Sequence, residues 1–246
     1  MCLLTYIPTA NNSFFLTSNR DESVERQDAI APRKYYIKGK YVFYPKDPVS
    51  DGTWMASNGE YTLCLLNGGF VRHHSNPPYR QSRGRIIPDF FEYYSIENFS
   101  NNYQFTGIEP FTLIVINAND FVIKELTWTG EKLVTRIIEW NEPHIWSSST
   151  LYSPAIVSQR ANWFTDFLKN NDTYEAEEIL NFHRFGGNGD PQNDLLMNRN
   201  NVLRTVSITQ FEFLNHDFRL SYYDLLNDKD YFYRIITDRE PQYVIK

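Results

Sequence analysis

Two short apolar runs at the start of the chain place the strongest constraint on its fold. Residues 2–7 and 13–18 are rich in apolar and β-branched side chains, and residues 8–12 between them carry Pro8 and two asparagines. This pattern predicts two strands joined by a turn, a hairpin. Neither run alternates cleanly between apolar and polar side chains, so we expect both faces of each strand to be buried. A sheet that is buried on both faces needs a covering layer on each side.

The same kind of run recurs along the chain. Segments rich in β-branched and aromatic side chains are separated by Gly, Asn and Pro, which are typical of turns. Further strands are predicted over residues 41–44, 53–57, 61–66, 111–117, 121–128, 133–139, 145–149, 204–214, 219–225 and 231–236.

Helical periodicity is confined to two regions, of which the first lies between residues 82 and 94. Its apolar side chains repeat at helical spacing, and Pro88 must lie in the first turn of this helix or kink it. Many strands with a few amphipathic helices predict layered sheets covered by helices. No repeat or linker divides the chain, so we expect one domain over residues 1–246.

The second region predicts two helices in series. Ser153 can cap the first of them and Pro154 suits its first position. Asp172 and Glu175 form a capping-box pattern for the other, which is expected to stop at Gly186. The first of the two helices carries an apolar stripe of Val157, Ala161, Phe164 and Leu168.

Composition and charge exclude several classes of protein. Hydrophobic residues make up 41% of the 246 residues, and 18 Phe, 17 Tyr and 5 Trp supply bulky core material, which excludes a disordered chain. The net charge of −6 provides no cationic field, so we expect no nucleic-acid partner. No apolar run approaches the roughly 20 residues that span a membrane, and the first residues do not show the basic segment, apolar stretch and cleavage site typical of a signal peptide. We therefore expect a cytoplasmic protein that does not span a membrane.

The chain has only two cysteines, Cys2 and Cys64. Two are too few for a disulfide scaffold or a thiolate metal site, and we expect neither a cofactor nor a metal. Cys64 lies in the middle of a predicted strand between two leucines, which predicts a packing role. Each cysteine must therefore be explained separately.

Cys2 is the residue most informative about chemistry. Removal of Met1 would place a thiol and a free α-amine on the same residue. An α-amine has a pKa of about 8 and a free thiol one of about 8.5, so near neutral pH the amine can accept the thiol proton. One residue would then supply both a nucleophile and its base. The alternative is a cysteine that simply packs in a buried strand.

The second predicted strand is followed by Asn19 and then by three charged residues, Arg20, Asp21 and Glu22. Pairing in the hairpin would bring this end of the strand close to the start of the first strand. A guanidinium near a thiol favours the thiolate, and a carboxylate can hold an ammonium in position. The alternative for these residues is an ordinary charged turn.

Several short motifs together resemble one family. They are Met1-Cys2, Asn19-Arg20-Asp21-Glu22, Asp51-Gly52-Thr53-Trp54-Met55 followed by Asn58, Leu66-Asn67 and Ser82-Arg83-Gly84. The chain is similar in these positions to the NRDE family of proteins like transport and Golgi organisation protein 2. The resemblance implies the N-terminal nucleophile hydrolase fold, an α+β four-layer αββα sandwich with two stacked, mainly antiparallel sheets. It also implies a likeness to cysteine amidases such as penicillin V acylases, bile salt hydrolases and acid ceramidases.

The resemblance implies roles for three residues at the start of the chain. Cys2 matches the nucleophile of those amidases. Asp21 matches the aspartate that orients the α-amine, because it follows Cys2 by 19 positions, the same separation as in those enzymes. The arginine of those enzymes falls at Ser18 here, whereas Arg20 is the arginine characteristic of the NRDE family. In a regular strand Arg20 and Asp21 would face opposite ways, so a bend is expected if both are to reach Cys2.

The resemblance also implies an oxyanion site and a second arginine. Asn67 and the two glycines after it match a segment whose backbone donors can approach a ligand closely. Relatives usually carry an asparagine where this chain has Ser148, and a serine donor is shorter and rotates freely. The segment Arg204-Thr205-Val206-Ser207 resembles a late strand of the family. Arg204 would then take the place of the second active-site arginine.

Other polar residues offer weaker candidates. His73 and His74 are adjacent in a predicted loop, where their side chains diverge, so a metal site there is disfavoured. His183 lies on the apolar side of a predicted helix, which favours a hydrogen-bonded core histidine. The polar segment 186–201 is long enough to close over a site, and its spacing does not match a calcium loop.

Two functions remain open from the sequence. The first is a cysteine amidohydrolase that cleaves the C–N bond of a small or lipid-like acyl amide. The second is a non-catalytic lipid- or haem-handling or trafficking factor that keeps the fold and the pocket. Retention of Cys2, Arg20 and Asp21 favours the first, and Ser148 favours the second. A structural protein with a vestigial site is a third alternative, and the oligomeric state stays open.

Overall fold

The fold is defined by a computed structural model over residues 3–171, 173–215 and 217–235. Cys2 and Asp172, both singled out from the sequence, lie outside these described residues. Within them the chain forms the strands β1 (Leu3–Thr9), β2 (Ser13–Ser23), β3 (Ile30–Ile37), β4 (Lys40–Lys46), β5 (Met55–Ser57), β6 (Tyr61–Asn67), β7 (Phe111–Asn117), β8 (Val122–Trp128), β9 (Leu133–Ile138), β10 (His144–Ser147), β11 (Asn198–Arg199), β12 (Leu203–Leu214), β13 (Asp217–Asp224) and β14 (Lys229–Ile235).

The strands form two sheets. In the first sheet the order is β10, β1, β2, β12, β13, β14, and β11 pairs with the start of β12. The second sheet runs from β3 to β9 in chain order, a meander. All the pairings between these strands are antiparallel. The predicted N-terminal hairpin is confirmed, because β1 pairs with β2.

Helices cover the outer face of each sheet. They are α1 (Ile86–Phe90), α2 (Ile96–Asn102), α3 (Pro154–Lys169) and α4 (Ala176–Phe185). Side chains of α1 and α2 pack on the outer face of the second sheet, and those of α3 and α4 pack on the first. This order of layers confirms the expected α+β sandwich with two stacked antiparallel sheets. None of the helices in the described ranges is long and apolar enough to cross a membrane.

Three apolar clusters fill the spaces between the layers. The cluster between the sheets includes Leu4, Tyr6, Phe14, Leu16, Trp54, Cys64, Leu66 and Ile114. The cluster under α1 and α2 includes Leu63, Leu65, Ile87, Phe90, Phe99 and Leu113. The cluster under α3 and α4 includes Leu3, Ile7, Phe15, Phe164, Ile179 and Phe182. Neighbouring residues of β1 thus belong to different clusters, which explains why this strand lacks a polar face.

The strand β2 is longer than the sequence predicted. The prediction ended it at Ser18, whereas the strand continues to Ser23. Because β12 pairs with β2 along this whole length, Asn19, Arg20 and Asp21 lie inside the sheet and are buried. The charged residues are therefore part of a central strand, and the alternative of an ordinary charged turn is wrong.

Two strands and one helix were missed, namely β3, the two-residue strand β11, and α2. The strand β3 is an edge strand in which Pro32, Arg33 and Lys34 interrupt the apolar pattern, and the two charged residues are exposed. The predicted helix over residues 82–94 is instead a short 3₁₀ turn followed by α1, in which Pro88 occupies the first turn. Tyr94 adopts a positive φ of 64°, which interrupts the helical path before α2 begins.

The helix α3 starts as predicted, and α4 starts differently. The Ser153 hydroxyl accepts a hydrogen bond from the backbone of Ile156, and Pro154 is the first helical residue. In α4 the capping box is formed by Glu175 and Glu178, not by Asp172 and Glu175 as predicted. The spacing of the motif was right, and its position was three residues too early.

A buried histidine fixes α4 to the first sheet. The Asn19 amide group donates to the carbonyl oxygens of His183 (3.1 Å) and Leu195 (2.7 Å), so its own oxygen accepts from Nδ1 of His183 (2.6 Å). Nε2 of His183 then accepts from the Thr5 hydroxyl at 2.8 Å. Burial, with the Arg160 charge adding to it, lowers the pKa of His183 to about 3. The predicted core role of His183 fits this neutral, hydrogen-bonded ring.

This network predicts that the protein loses stability in mild acid. Below pH 6.5 the unfolded chain binds a proton at His183 that the folded chain does not bind, so the free energy of unfolding decreases as the pH falls. Between pH 7 and pH 5 the loss from His183 alone should be about 2 kcal/mol, measured by urea unfolding. In His183→Gln this part of the loss should disappear, and in the control His144→Gln, which changes a partly exposed ring on β10, it should remain. An equal loss in wild type and His183→Gln would contradict the assignment.

Candidate functional site

Four of the motif segments meet around one polar cavity at the end of the sheets. The cavity has a volume of about 240 Å³. Residues from each of the four segments line it, among them Arg20, Glu22, Thr53, Trp54, Asn67 and Arg83. Residues such as Arg20 and Arg83, which are 63 positions apart in the sequence, therefore form one site. We call it the polar cavity below.

Two motif glycines allow this approach. A side-chain carbon added to Gly52 would lie 2.4 Å from the backbone carbon of Gly84. The backbone amide of Thr53 donates to the carbonyl oxygen of Gly84 at 2.9 Å. The two segments thus cross with their backbones in contact, and only glycine at position 52 permits the crossing.

Arg20 points to the polar cavity on the face of the first sheet that meets the second. Its guanidinium forms an ion pair with Asp47 at 2.7 Å and lies 4.4 Å from the ring centre of Trp54. Asp47 also accepts two hydrogen bonds from Arg26, at 2.7 and 3.0 Å. Burial alone would raise the pKa of Asp47, but hydrogen bonds from Arg26 and the backbone of Ser50, with the charges of both arginines, hold it below its usual value. Much of the Arg20 charge is therefore already balanced by Asp47.

Asp21 points away from Arg20, towards the helices. Its two carboxylate oxygens accept hydrogen bonds of 2.6 Å from the hydroxyl groups of Tyr152 and Thr205. The register shift at this point lies in β12, between Thr205 and Ser207, and β2 itself is regular. The two side chains thus lie on opposite faces of β2, and the described residues contain no bend that would bring them together.

Asn67 ends β6 and lines the polar cavity. Its side-chain amide has no hydrogen-bond partner among the described residues, so it can donate to a ligand. The amide of the following Gly68 donates to Pro110 at 3.0 Å and is not available. The Asn67 side chain is therefore open to the polar cavity, whereas the Gly68 amide is not.

Ser148 is buried behind Asn67. Its hydroxyl donates to the carbonyl oxygen of Asn67 at 2.7 Å, so the Thr150 hydroxyl, 2.9 Å away, donates to Ser148. The only proton of the Ser148 hydroxyl is therefore used to hold the backbone of Asn67. In this arrangement Ser148 orients the candidate oxyanion donor and does not itself face a ligand.

Arg204 pairs across the strands with Glu22 and with Asn198. It therefore lies on the same face as Glu22, whose carboxylate is 3.4 Å from Arg20. Arg204 is partly buried, and its Nε atom has no hydrogen-bond partner among the described residues. The structure brings Arg20, Arg204 and Asn67 to the end of the sandwich where β1 begins.

A larger, mainly apolar cavity lies along the same segment, since Leu66 lines it and its chain neighbour Asn67 lines the polar cavity. It has a volume of about 720 Å³ and is lined by Leu66, Phe70, Trp146, Leu151, Val157 and Ala161, among others. One charged group on its wall is neutralised, because the buried carboxylate of Glu125 accepts from Arg136 at 2.6 Å and from Trp146 at 2.9 Å. We call this space the apolar cavity.

The weaker candidates take up structural positions. His73 is hydrogen-bonded to Glu109 at 2.9 Å. Within the residues that the structure describes, no group of three or more His, Cys, Asp and Glu side chains is placed to hold a metal ion. Cys64 is fully buried between the sheets, and burial raises the pKa of its thiol to about 12. The segment 186–201 is packed against the first sheet through Leu195.

Two residues of the site were not identified from the sequence. Asp47, the partner of Arg20, lies in a turn region without a motif, and its role depends on a contact over 27 positions. Tyr152 lies four positions after Ser148, and no motif in the sequence marks it. A signal for both could have been sought in the need of buried charges for hydrogen-bonded partners.

Comparison with known families identifies the chain. The sequence model of the Transport and Golgi organisation 2 family matches residues 1–216. None of the curated proteins compared with the chain matches it. The matched region contains all four helices, the strands from β1 to β12 and every motif segment around the polar cavity. The chain therefore belongs to the Transport and Golgi organisation 2 family.

Proposed function

We propose that the protein is a cysteine amidohydrolase that uses the N-terminal residue left after removal of Met1. Its substrate would be a small or lipid-like acyl amide, of which it cleaves the C–N bond. The observation that carries this proposal is the carboxylate of Asp21, which is held by two hydrogen bonds of 2.6 Å beside the start of β1. A buried carboxylate fixed at that point is suited to hold a terminal amine.

The register of the hairpin supports the assignment of Cys2. Leu3 pairs with Asn19 in antiparallel register. The start of β1 therefore lies beside the part of β2 that carries Arg20 and Asp21, and we propose that both of these residues act on Cys2. Because side chains alternate along a strand, Arg20 lies on the face of the polar cavity and Asp21 on the face of the helices. Arg20 and Asp21 can therefore serve different groups of the same residue from opposite faces of β2.

The proposed reaction has two steps. The Cys2 sulfur attacks the amide carbonyl carbon while the thiol proton passes to the α-amine, and the carbonyl oxygen becomes an oxyanion near the Asn67 side chain. The C–N bond then breaks, the leaving nitrogen takes the proton from the α-ammonium, and a thioester remains. In the second step water attacks the thioester with the α-amine as base, and the acid leaves as the thiol reforms.

The two cavities support a division of the substrate. The apolar cavity of about 720 Å³ suits an acyl chain, because apolar side chains form most of its wall. The polar cavity of about 240 Å³ suits the amine part, since charged side chains line it. Asn67 lines the polar cavity and directly follows Leu66 of the apolar cavity, so we place the scissile carbonyl at this side chain.

A specific observation also favours a second function, that of a non-catalytic carrier. The apolar cavity is large enough for a ligand without any part for Cys2, and the hydroxyl of Ser148 is bound to Asn67 and is not free for an oxyanion. In this case the protein would bind a lipid-like or haem-like ligand and release it unchanged.

The proposed function predicts different reactivities for the two thiols. Iodoacetamide at pH 7 should label Cys2 and leave Cys64 unlabelled, because Cys64 is fully buried and its pKa is raised to about 12. Peptide mass spectrometry of the native protein would locate the label, and Cys64→Ala should be labelled at the wild-type rate. Faster labelling of Cys64 than of Cys2 would refute the assignment.

A further prediction concerns turnover of a panel of acyl amides. Cys2→Ala should lower kcat by more than about a thousandfold, because the nucleophile is lost. Asn67→Ala should lower it by about a hundredfold, the usual effect of removing one oxyanion donor. Cys64→Ala is the matched control, because it removes a thiol that lies away from the polar cavity, and folded Cys64→Ala should keep its turnover.

The same panel separates the two functions. A hydrolase should keep its fold in Cys2→Ala, checked by circular dichroism, while turnover is lost. A carrier should turn over no amide even as wild type, and should bind an apolar probe equally well with and without Cys2. Cleavage that continues undiminished in Cys2→Ala would exclude Cys2 as the nucleophile.

A further inference from the structure

Arg160 of α3 is a fully buried guanidinium without a carboxylate partner. It is 0% exposed. No carboxylate in residues 3–171, 173–215 and 217–235 forms an ion pair with it. A buried charge is costly unless other groups compensate for it. The surroundings of Arg160 must therefore supply that compensation.

The contacts of Arg160 are known in detail. Nε and Nη2 donate to the carbonyl oxygen of Asn193 at 3.1 Å, and Nη2 also donates to that of Asp194 at 2.8 Å. Nη1 is buried without a hydrogen-bond partner among the described residues. The guanidinium carbon lies 3.6 Å from the ring centre of Tyr152. Two carbonyl groups and one aromatic face thus hold the cation, and none of them carries a full negative charge.

This arrangement continues to a negative charge, the Asp21 carboxylate, which is bound to the hydroxyl of Tyr152. The Tyr152 hydroxyl donates to Asp21 at 2.6 Å, and Asp21 is itself buried. A cation over an aromatic face draws electron density from the ring, which makes a phenol hydroxyl a stronger hydrogen-bond donor. Arg160, Tyr152 and Asp21 therefore form one chain, with a cation at one end and a carboxylate at the other.

We propose that Arg160 is a positioning residue that acts through Tyr152 to hold the Asp21 carboxylate in place for the α-amino group of residue 2. The inference rests on the proposed function, because it takes the role of Asp21 from there. Arg160 touches neither cavity and no reacting atom. Its effect reaches the site through the strength and direction of the Tyr152 hydrogen bond.

A purely structural role is the competing explanation. Arg160 also holds the backbone of Asn193 and Asp194 against α3, and this contact by itself could stabilise the fold without any effect on Asp21. The two explanations differ in one respect. A structural role predicts a lower melting temperature alone, whereas the proposed role also predicts a change in the Tyr152 hydrogen bond.

The first test measures that hydrogen bond directly by proton NMR. The hydroxyl proton of Tyr152, identified as the downfield signal that Tyr152→Phe removes, should move upfield in Arg160→Met and much less in Arg160→Lys, which keeps the charge. The matched control is Arg184→Met, which removes a guanidinium 4.9 Å from the ring centre of Tyr223 on another part of the sheet. An unchanged signal in Arg160→Met would overturn the proposal.

The second test measures the effect at Cys2. Labelling by iodoacetamide should slow about threefold to tenfold in both Arg160→Met and Tyr152→Phe, and the double variant should be no slower than either, because the two act as one unit. Tyr152→Phe keeps the ring and its packing, so it remains informative if Arg160→Met does not fold. Wild-type labelling in Tyr152→Phe, or fully additive effects in the double variant, would overturn the proposal.

The two proposals can fail separately. If wild type turns over no amide but the Tyr152 signal and the labelling rate respond as stated, the hydrolase proposal fails and the positioning role of Arg160 stands. If amides are cleaved and Arg160→Met leaves the signal, the labelling rate and kcat at wild-type values, the hydrolase proposal stands and the role of Arg160 fails.

Discussion

The structure depends on the pairing of β2 with β1 on one side and β12 on the other. This pairing buries a strand that carries Asn19, Arg20 and Asp21 in succession. Because β2 is regular there, the middle residue faces the second sheet and its two neighbours face the helices. Each polar side chain then needs its own buried partners, and these partners come from widely separated parts of the chain.

The partners of these three residues account for most of the other features of the site. Asn19 fixes α4 through His183, Arg20 binds Asp47 beside Trp54, and Asp21 binds Tyr152. Asn19 and Asp21 are satisfied from the helix side of the sheet, and Arg20 is satisfied from the side of the second sheet. The arrangement is costly to bury and is therefore hard to explain as packing alone, which supports a functional role for this end of the sheets.

The sequence was a good guide to the layers and a poor guide to polar contacts. Apolar runs such as residues 13–18 identify buried strands, because apolar burial depends on local pattern. The continuation of β2 to Ser23 could not be recognised in the same way, since the charged residues are buried only because β12 pairs with them. Arg160 shows the same limit, because it lies within the apolar stripe of α3 and its partners, the Tyr152 ring and the backbone of Asn193 and Asp194, are fixed by tertiary contacts.

The central claim is that a terminal amine on residue 2 works together with Asp21. The most direct measurement is the intact mass of the protein purified from cells, determined by mass spectrometry. The account predicts a mass that lacks one methionine residue, because the small Cys2 side chain permits removal of Met1 and leaves a free α-amine. A mature mass that includes Met1 would contradict the account, because the amide nitrogen then present on residue 2 cannot accept the thiol proton.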